Sequence, residues 1–214
     1  MRRMVALMLG LSLGALAAIT IISPTSAGYN ISCWGRSDAS NYGYSGRYEG
    51  YEWGGGWWDN NNQDNTPGCP ADGGSSCEGP DCSGFVFKSW AMVNSSGNTG
   101  HYYWYIGDTQ HGPYSSTNFR DGCSGACYDV CGSGTGSSCG PNSYSATIYM
   151  DAFAYNTNGV GHVGLIWQED SGGYDWILEA LNNSAGVGIW LRDYRTNPAY
   201  DGIRRQNWLT CPGG

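Results

Sequence analysis

Lysine is nearly absent from this chain. Lys88 is the only one among 214 residues, and the 10 basic side chains face 18 acidic ones. Removing residues 1–27 takes Arg2 and Arg3 away, leaving eight basic groups against 18 acidic ones and a formal charge of −10. Such a surface offers no counter-charge to a phosphate backbone or an anionic membrane, which excludes nucleic acid as a partner. Histidine is scarce too, so imidazole chemistry rests on His101, His111 or His162. Internal repeats are missing. Long apolar runs are missing as well, apart from the one that opens the chain.

That opening stretch, "MRRMVALMLGLSLGALAAITIISPTSA", places Arg2 and Arg3 before an apolar run and ends in small residues at Thr25 and Ala27. It reads as a secretory signal over residues 1–27; the competing reading is a membrane anchor, against which Pro24 and the small residues favour cleavage. The expectation is a secreted protein in a bacterial cell-wall space, with no stable membrane insertion after cleavage. Residues 28–214 suffice for one domain with a core of its own.

What the chain does have is glycine, 35 residues of it, with 10 tryptophans, 16 tyrosines and nine cysteines. An odd cysteine count in an exported protein leaves at least one thiol unpaired. Eight of the nine, Cys33, Cys69, Cys77, Cys123, Cys127, Cys131, Cys139 and Cys211, lie in Gly, Ser, Pro and Asn-rich stretches that read as loops needing disulfide staples. Two such regions stand out: an insertion at about 56–80 and a cysteine-rich loop at about 121–141. The spacing in "CSGACYDVCGSGTGSSC" fits neither common zinc pattern, so no metal is expected, and "GSGTG" lacks the lysine and the strand-to-helix context of a phosphate loop. No cofactor is expected either.

Cys82 differs from the other eight by its context. "DCSGFVFKSWAMV" reads as a helix in which Asp81 caps the N-terminus, Cys82 occupies the first turn, and Phe85, Val86, Trp90 and Val93 form an apolar face. Downstream, "ATIYMDAFAY", "VGHVGLIWQ", "YDWILEAL" and "VGIWL" read as strands separated by turns such as "NTNG" and "EDSGG". One helix followed by a meander predicts an α+β fold.

A thiol at a helix N-terminus gains from the positive end of the helix dipole, although Asp81 opposes that gain. It then needs an imidazole to deprotonate it and to return a proton to the leaving amine. His101 and His111 fall in loops, whereas His162 lies in a strand between Gly161 and Val163, which makes it the expected base. Glu179, inside "WILEAL", is the expected orienting group, with Asn182 and Asn183 as lesser candidates. A turn over residues 168–173 would place residue 162 directly opposite residue 179, while a one-residue slip would send the two to opposite faces.

The segments "YEWGG" (residues 51–55), "DCSGFV" (81–86), "MDAFAY" (150–155) and "GHVGLI" (161–166) occur in the order seen in NlpC-type cell-wall peptidases. Over about residues 51–191 the chain resembles that family of papain-like cysteine hydrolases. The resemblance implies a papain-like core with the nucleophile Cys82 at a helix N-terminus on an antiparallel sheet, His162 as base and a polar third residue, Glu179. It also implies Tyr51 as a substrate-positioning or oxyanion-supporting hydroxyl, with Asp81 and Ser83 beside the nucleophile. The implied substrate is peptidoglycan, cut at a stem-peptide amide bond, commonly that between D-glutamate and the diamino acid. Departures are the long stretch between 55 and 81 with Cys69 and Cys77, Met150 where glycine is usual, and glutamate where histidine is common at the third position.

Trp53 and Arg192 are weaker candidates for substrate contact. Arg192, Arg195, Arg204 and Arg205 either receive stem-peptide carboxylates or form a solvated face. Two other readings stay open at this level: acyl transfer to an amine or another amide substrate, and a non-catalytic glycan-binding module built on the aromatic-rich residues 41–60. Residues 28 to about 45 also read as a possible pro-region.

Overall fold

The computed structural model describes residues 34–58, 78–92, 111–131 and 147–208. The expected signal segment, most of the insertion at 56–80, the second half of the cysteine-rich loop, His101, Val93, and Cys33, Cys69, Cys77, Cys139 and Cys211 lie outside the described residues. In chain order the elements are α1 (Arg36–Ser45), β1 (Gly56–Trp57), β2 (Gly79–Pro80), α2 (Cys82–Ser89), α3 (Ser116–Arg120), a 3-10 turn (Cys123–Gly125), β3 (Cys127–Asp129), β4 (Ala152–Thr157), β5 (Val160–Glu169), β6 (Asp175–Asn182), β7 (Gly186–Arg192) and β8 (Asp201–Arg205). The architecture is α+β.

Six strands form one antiparallel sheet in the order β3-β8-β4-β5-β6-β7, and β1 pairs with β2 separately. The four expected strands are all present. The β4–β5 hairpin closes through Asn158 and Gly159, both at positive φ (54° and 82°), between the paired residues Thr157 and Val160. Two positive-φ residues are what a tight hairpin turn demands, and an Asn-Gly pair supplies them with least strain. Strands β3 and β8 were not expected: "CYD" and "DGIRR" are too short and polar to signal a strand, and pairing with each other and with β4 is what makes them strands.

Helix α2 is shorter than the expected 81–93 and is buried on every side, Lys88 included, rather than along one apolar stripe. It packs on α1 and on the β5–β6 part of the sheet. Phe85, Val86 and Trp90 join Val163, Leu165, Leu178 and Ala180 in the main core. The alternate sheet residues Phe153, Ile166 and Ile177 pack with Tyr194 and Tyr200 in a second cluster, as period-2 alternation requires. Helix α1, in the stretch that the sequence also reads as a pro-region and, from residue 41, as an aromatic-rich binding surface, places Ala39 and Tyr42 in the main core.

Cys123 is bonded to Cys127, with Cα atoms 5.2 Å apart, and Cys131 is also disulfide-bonded. Among the described residues, no helix is long and apolar enough to cross a membrane.

Candidate active site

Cys82 is the first residue of α2, and among the described cysteines it is the free thiol. Asp81 caps the helix in extended conformation, its Oδ1 accepting from the Gly84 N–H at 2.7 Å. Oδ2 accepts from the Gly54 N–H at 3.1 Å, so one carboxylate ties the "YEWGG" segment to the helix start. The contact is close: a Cβ at Gly84 would lie 2.2 Å from the Gly55 carbonyl oxygen. This is why small residues follow the cysteine. Cys82 itself is 7% exposed, accessible at its edge but mostly desolvated.

His162 is the third residue of β5, near the strand end, where the helix N-terminus meets it. Its ring hydrogen-bonds to Cys82, and its Nε2 lies 2.5 Å from Oε2 of Glu179, leaving Nδ1 for the thiol. Burial lowers the imidazole's affinity for a proton, but hydrogen bonds and charge from Cys82 and Glu179 outweigh it and raise the pKa from 6.5 to about 10. The three expected residues are therefore brought together.

The register that joins them differs from the expected one. Leu165 pairs with Leu178, a bulge follows Ile166, and the loop spans residues 170–174. One step further in that register, Gly164 rather than His162 stands opposite Glu179. His162 is thus a diagonal neighbour two residues along, on the same face, within reach of a long side chain. Gly164 makes the room, since a Cβ there would sit 3.1 Å from the Glu179 side chain.

Glu179 is fully buried and accepts three bonds. Besides His162, Arg192 Nε donates to Oε1 at 2.6 Å and the Tyr194 hydroxyl to Oε2 at 3.0 Å. Burial, then the Glu179 charge, raise the Tyr194 pKa and keep that hydroxyl a donor. Arg192, a weaker candidate for substrate contact, is a partner of the Glu179 carboxylate. The other three arginines form neither a solvated face nor a carboxylate receptor. Arg195 grips Asp175 through two 2.9 Å bonds, Arg204 binds Asp151, and Arg205 donates to the Trp90 and Asn207 carbonyls.

Tyr51 and Trp53 line a pocket of about 420 Å³ with Asn182 and Asn183. The two asparagines are thus wall residues, and Asn182 Oδ1 caps the β6–β7 turn by accepting from the Ser184 and Ala185 N–H groups. Trp53 is 70% exposed, whereas Tyr51 is buried to 7%. The Ser83 side chain turns to the helix cap, donating to Asp81 Oδ1 at 3.1 Å and meeting His111 Nε2 at 2.8 Å. From sequence His111 reads as a loop residue, and no local pattern in "QHGP" signals that tertiary contact. Tyr194 was missed likewise, its only cue being its place two residues after Arg192. Met150 stands at φ 63° with its side chain fully buried, so the position where the resembled family has glycine is one of left-handed backbone.

Among the described residues, no group of three or more His, Cys, Asp or Glu side chains forms a metal site. Compared with family models, curated proteins and solved structures, the chain matches none.

Proposed function

We propose that this protein is a secreted cysteine hydrolase with a papain-like core, of the NlpC type it resembles, cleaving an amide bond in peptidoglycan stem peptides. The observation that carries the reading is the free Cys82 thiol at a helix N-terminus, hydrogen-bonded to a buried imidazole that Glu179 holds from behind. A glycan-binding module needs no such arrangement.

The chemistry divides into two steps. Cys82 Sγ, as thiolate, attacks the amide carbon, and the oxyanion is met by N–H groups at the start of α2. The Gly84 N–H is taken by Asp81, and that of Asp81 by the Gly55 carbonyl, so the Cys82 and Ser83 N–H groups serve this role. The His162 imidazolium protonates the departing amine as the C–N bond breaks, leaving a thioester. Neutral His162 then takes a proton from water, whose oxygen attacks the thioester carbon, and the thiolate leaves. Glu179 keeps the ring in place and stabilises its cationic form throughout. In this reading the pocket walled by Tyr51, Trp53, Asn182 and Asn183 receives the substrate.

Mass spectrometry of peptidoglycan fragments after incubation with residues 28–214, beside the Cys82→Ala variant, tests the proposal. A new stem-peptide fragment is expected with the unmutated protein alone, the variant losing up to roughly 10⁶ in rate as other triads do. Intact fragments with both proteins, from material whose Cys82 is a confirmed free thiol, would reject peptidoglycan hydrolysis.

A further inference from the structure

A carboxylate one residue before a nucleophilic thiol is an electrostatic liability, because it disfavours the thiolate that must form. Asp81 is nevertheless needed there. It caps α2 through Gly84 and ties down Gly54. The structure brings a second histidine to this carboxylate. His111 Nε2 lies 2.9 Å from Asp81 Oδ1, and its Nδ1 lies 2.9 Å from the Gly112 carbonyl oxygen.

The proton count of this ring follows from its partners. A carbonyl oxygen only accepts, so Nδ1 carries a hydrogen. A carboxylate oxygen also only accepts, so the 2.9 Å contact with Asp81 Oδ1 is favourable when Nε2 carries one too. Ser83 fits the same count, its hydroxyl donating to Asp81 Oδ1 while its oxygen accepts from Nε2. Removing the Nε2 proton would set a nitrogen lone pair against a carboxylate oxygen. Burial lowers the His111 pKa, but the hydrogen bond and charge of Asp81 outweigh that and raise it, in agreement with the bonding pattern. The ring is held in place by its neighbour: Gly112, at φ 88°, lies so close to the Phe87 ring of α2 that an added Cβ would meet it at 2.5 Å.

We propose that His111 is a positioning residue whose imidazolium cancels the charge of the Asp81 cap, so that α2 keeps its capping carboxylate without losing thiolate at Cys82. The arrangement is not a second Ser-His-Asp triad. Serine and aspartate share one ring nitrogen here, whereas a triad places them on opposite nitrogens. Among the described residues, the groups facing the His111 ring are Asp81, Ser83 and the Gly112 carbonyl, with Cys82 next along the helix. The inference rests on Cys82 as the reacting thiol of the proposed hydrolase, but its test reads the thiol directly and needs no turnover.

The experiment is the pH dependence of Cys82 alkylation by iodoacetamide, with the labelled residue located by peptide mass spectrometry. In His111→Gln the rate at neutral pH is expected to fall about tenfold and the profile to move to higher pH, the size of effect that a nearby uncompensated charge produces. In an Asp81→Asn background the same substitution is expected to leave the profile where Asp81→Asn alone puts it. An unmoved profile in His111→Gln, or an equal shift with and without the Asp81 carboxylate, overturns the proposal. An NMR titration of the unmutated protein provides a test independent of variant folding. His111 is expected to carry both ring protons at pH 7, and a singly protonated ring there overturns the proposal. Loss of peptidoglycan cleavage alone bears on the hydrolase reading and not on this one.

Discussion

Glu179 accepts from an imidazole, a guanidinium and a phenol while fully buried, and each donor restrains where the carboxylate can move. The consequence for His162 is a stabilised cation, and that has a definite sign with pH. A histidine whose pKa is raised on folding contributes stability that is fully present below about 6.5 and is lost as pH rises through its folded value, about 10 here. Glu179→Gln removes the negative charge behind the ring. The His162 titration, followed by NMR, is expected to move down from about 10 toward 6.5, and the unfolding temperature to lose much of its decline between those pH values. In the proposed hydrolase, the proton that His162 gives to the leaving amine would be lost at lower pH as well, so the alkaline limb of any peptidoglycan cleavage should move down with it. At this scale the pairing of Cys82, His162 and Glu179 was legible, because a thiol at a helix start, a strand histidine and a carboxylate among apolar residues each stand out locally. Arg192, Tyr194 and His111 were not, because their partners lie 13, 15 and 28 to 30 positions away and nothing local marks those contacts.

Among the elements, α2 shows how local rules and packing divide the work. Its N-cap was readable from Asp81, and its first turn from the small residues that follow. Gly84 lacks a side chain for a reason outside the helix: the Gly55 carbonyl occupies the space. Gly84→Ala should raise helix propensity by about 1 kcal/mol yet lower overall stability, because the clash costs about 1–3 kcal/mol and shifts the helix start. Urea unfolding measures the first effect, and loss of cleavage beyond the loss of stability would show that the thiol has moved. In β5 the hairpin closes on Glu169 and Asp175 rather than on residues 168 and 173, and the bulge after Ile166 takes back one of the three steps of displacement, so the pairing deduced from turn length alone missed the register by two. The error preserved the face, since side chains alternate with period 2, and His162 still meets Glu179.

Across the whole molecule, the C-terminal arginines hold the sheet together. Arg195 and Asp175 are both fully buried and joined by a two-pronged ion pair, with Thr147 on the remaining guanidinium nitrogen. Breaking one partner leaves an uncompensated charge in the interior. Asp175→Asn should therefore cost about 3–5 kcal/mol in denaturant unfolding, and replacing both residues with apolar ones of similar volume should cost less than that single change. If both variants lost the same amount, the pair would be contributing through packing rather than charge.

The sequence by itself determined the fold class, the helix that Cys82 opens, four of the strands and the three residues at the centre of the candidate site. Period-2 and helical patterns, capping residues and turn dipeptides act over a few positions and survive without knowledge of the rest of the chain. Only the tertiary structure decided the strand register, the two short added strands, the burial of α2 on all sides and the fate of the arginines. Each of these depends on which distant segments share the interior. An arginine in a polar stretch becomes an ion-pair partner only where a carboxylate has been buried beside it.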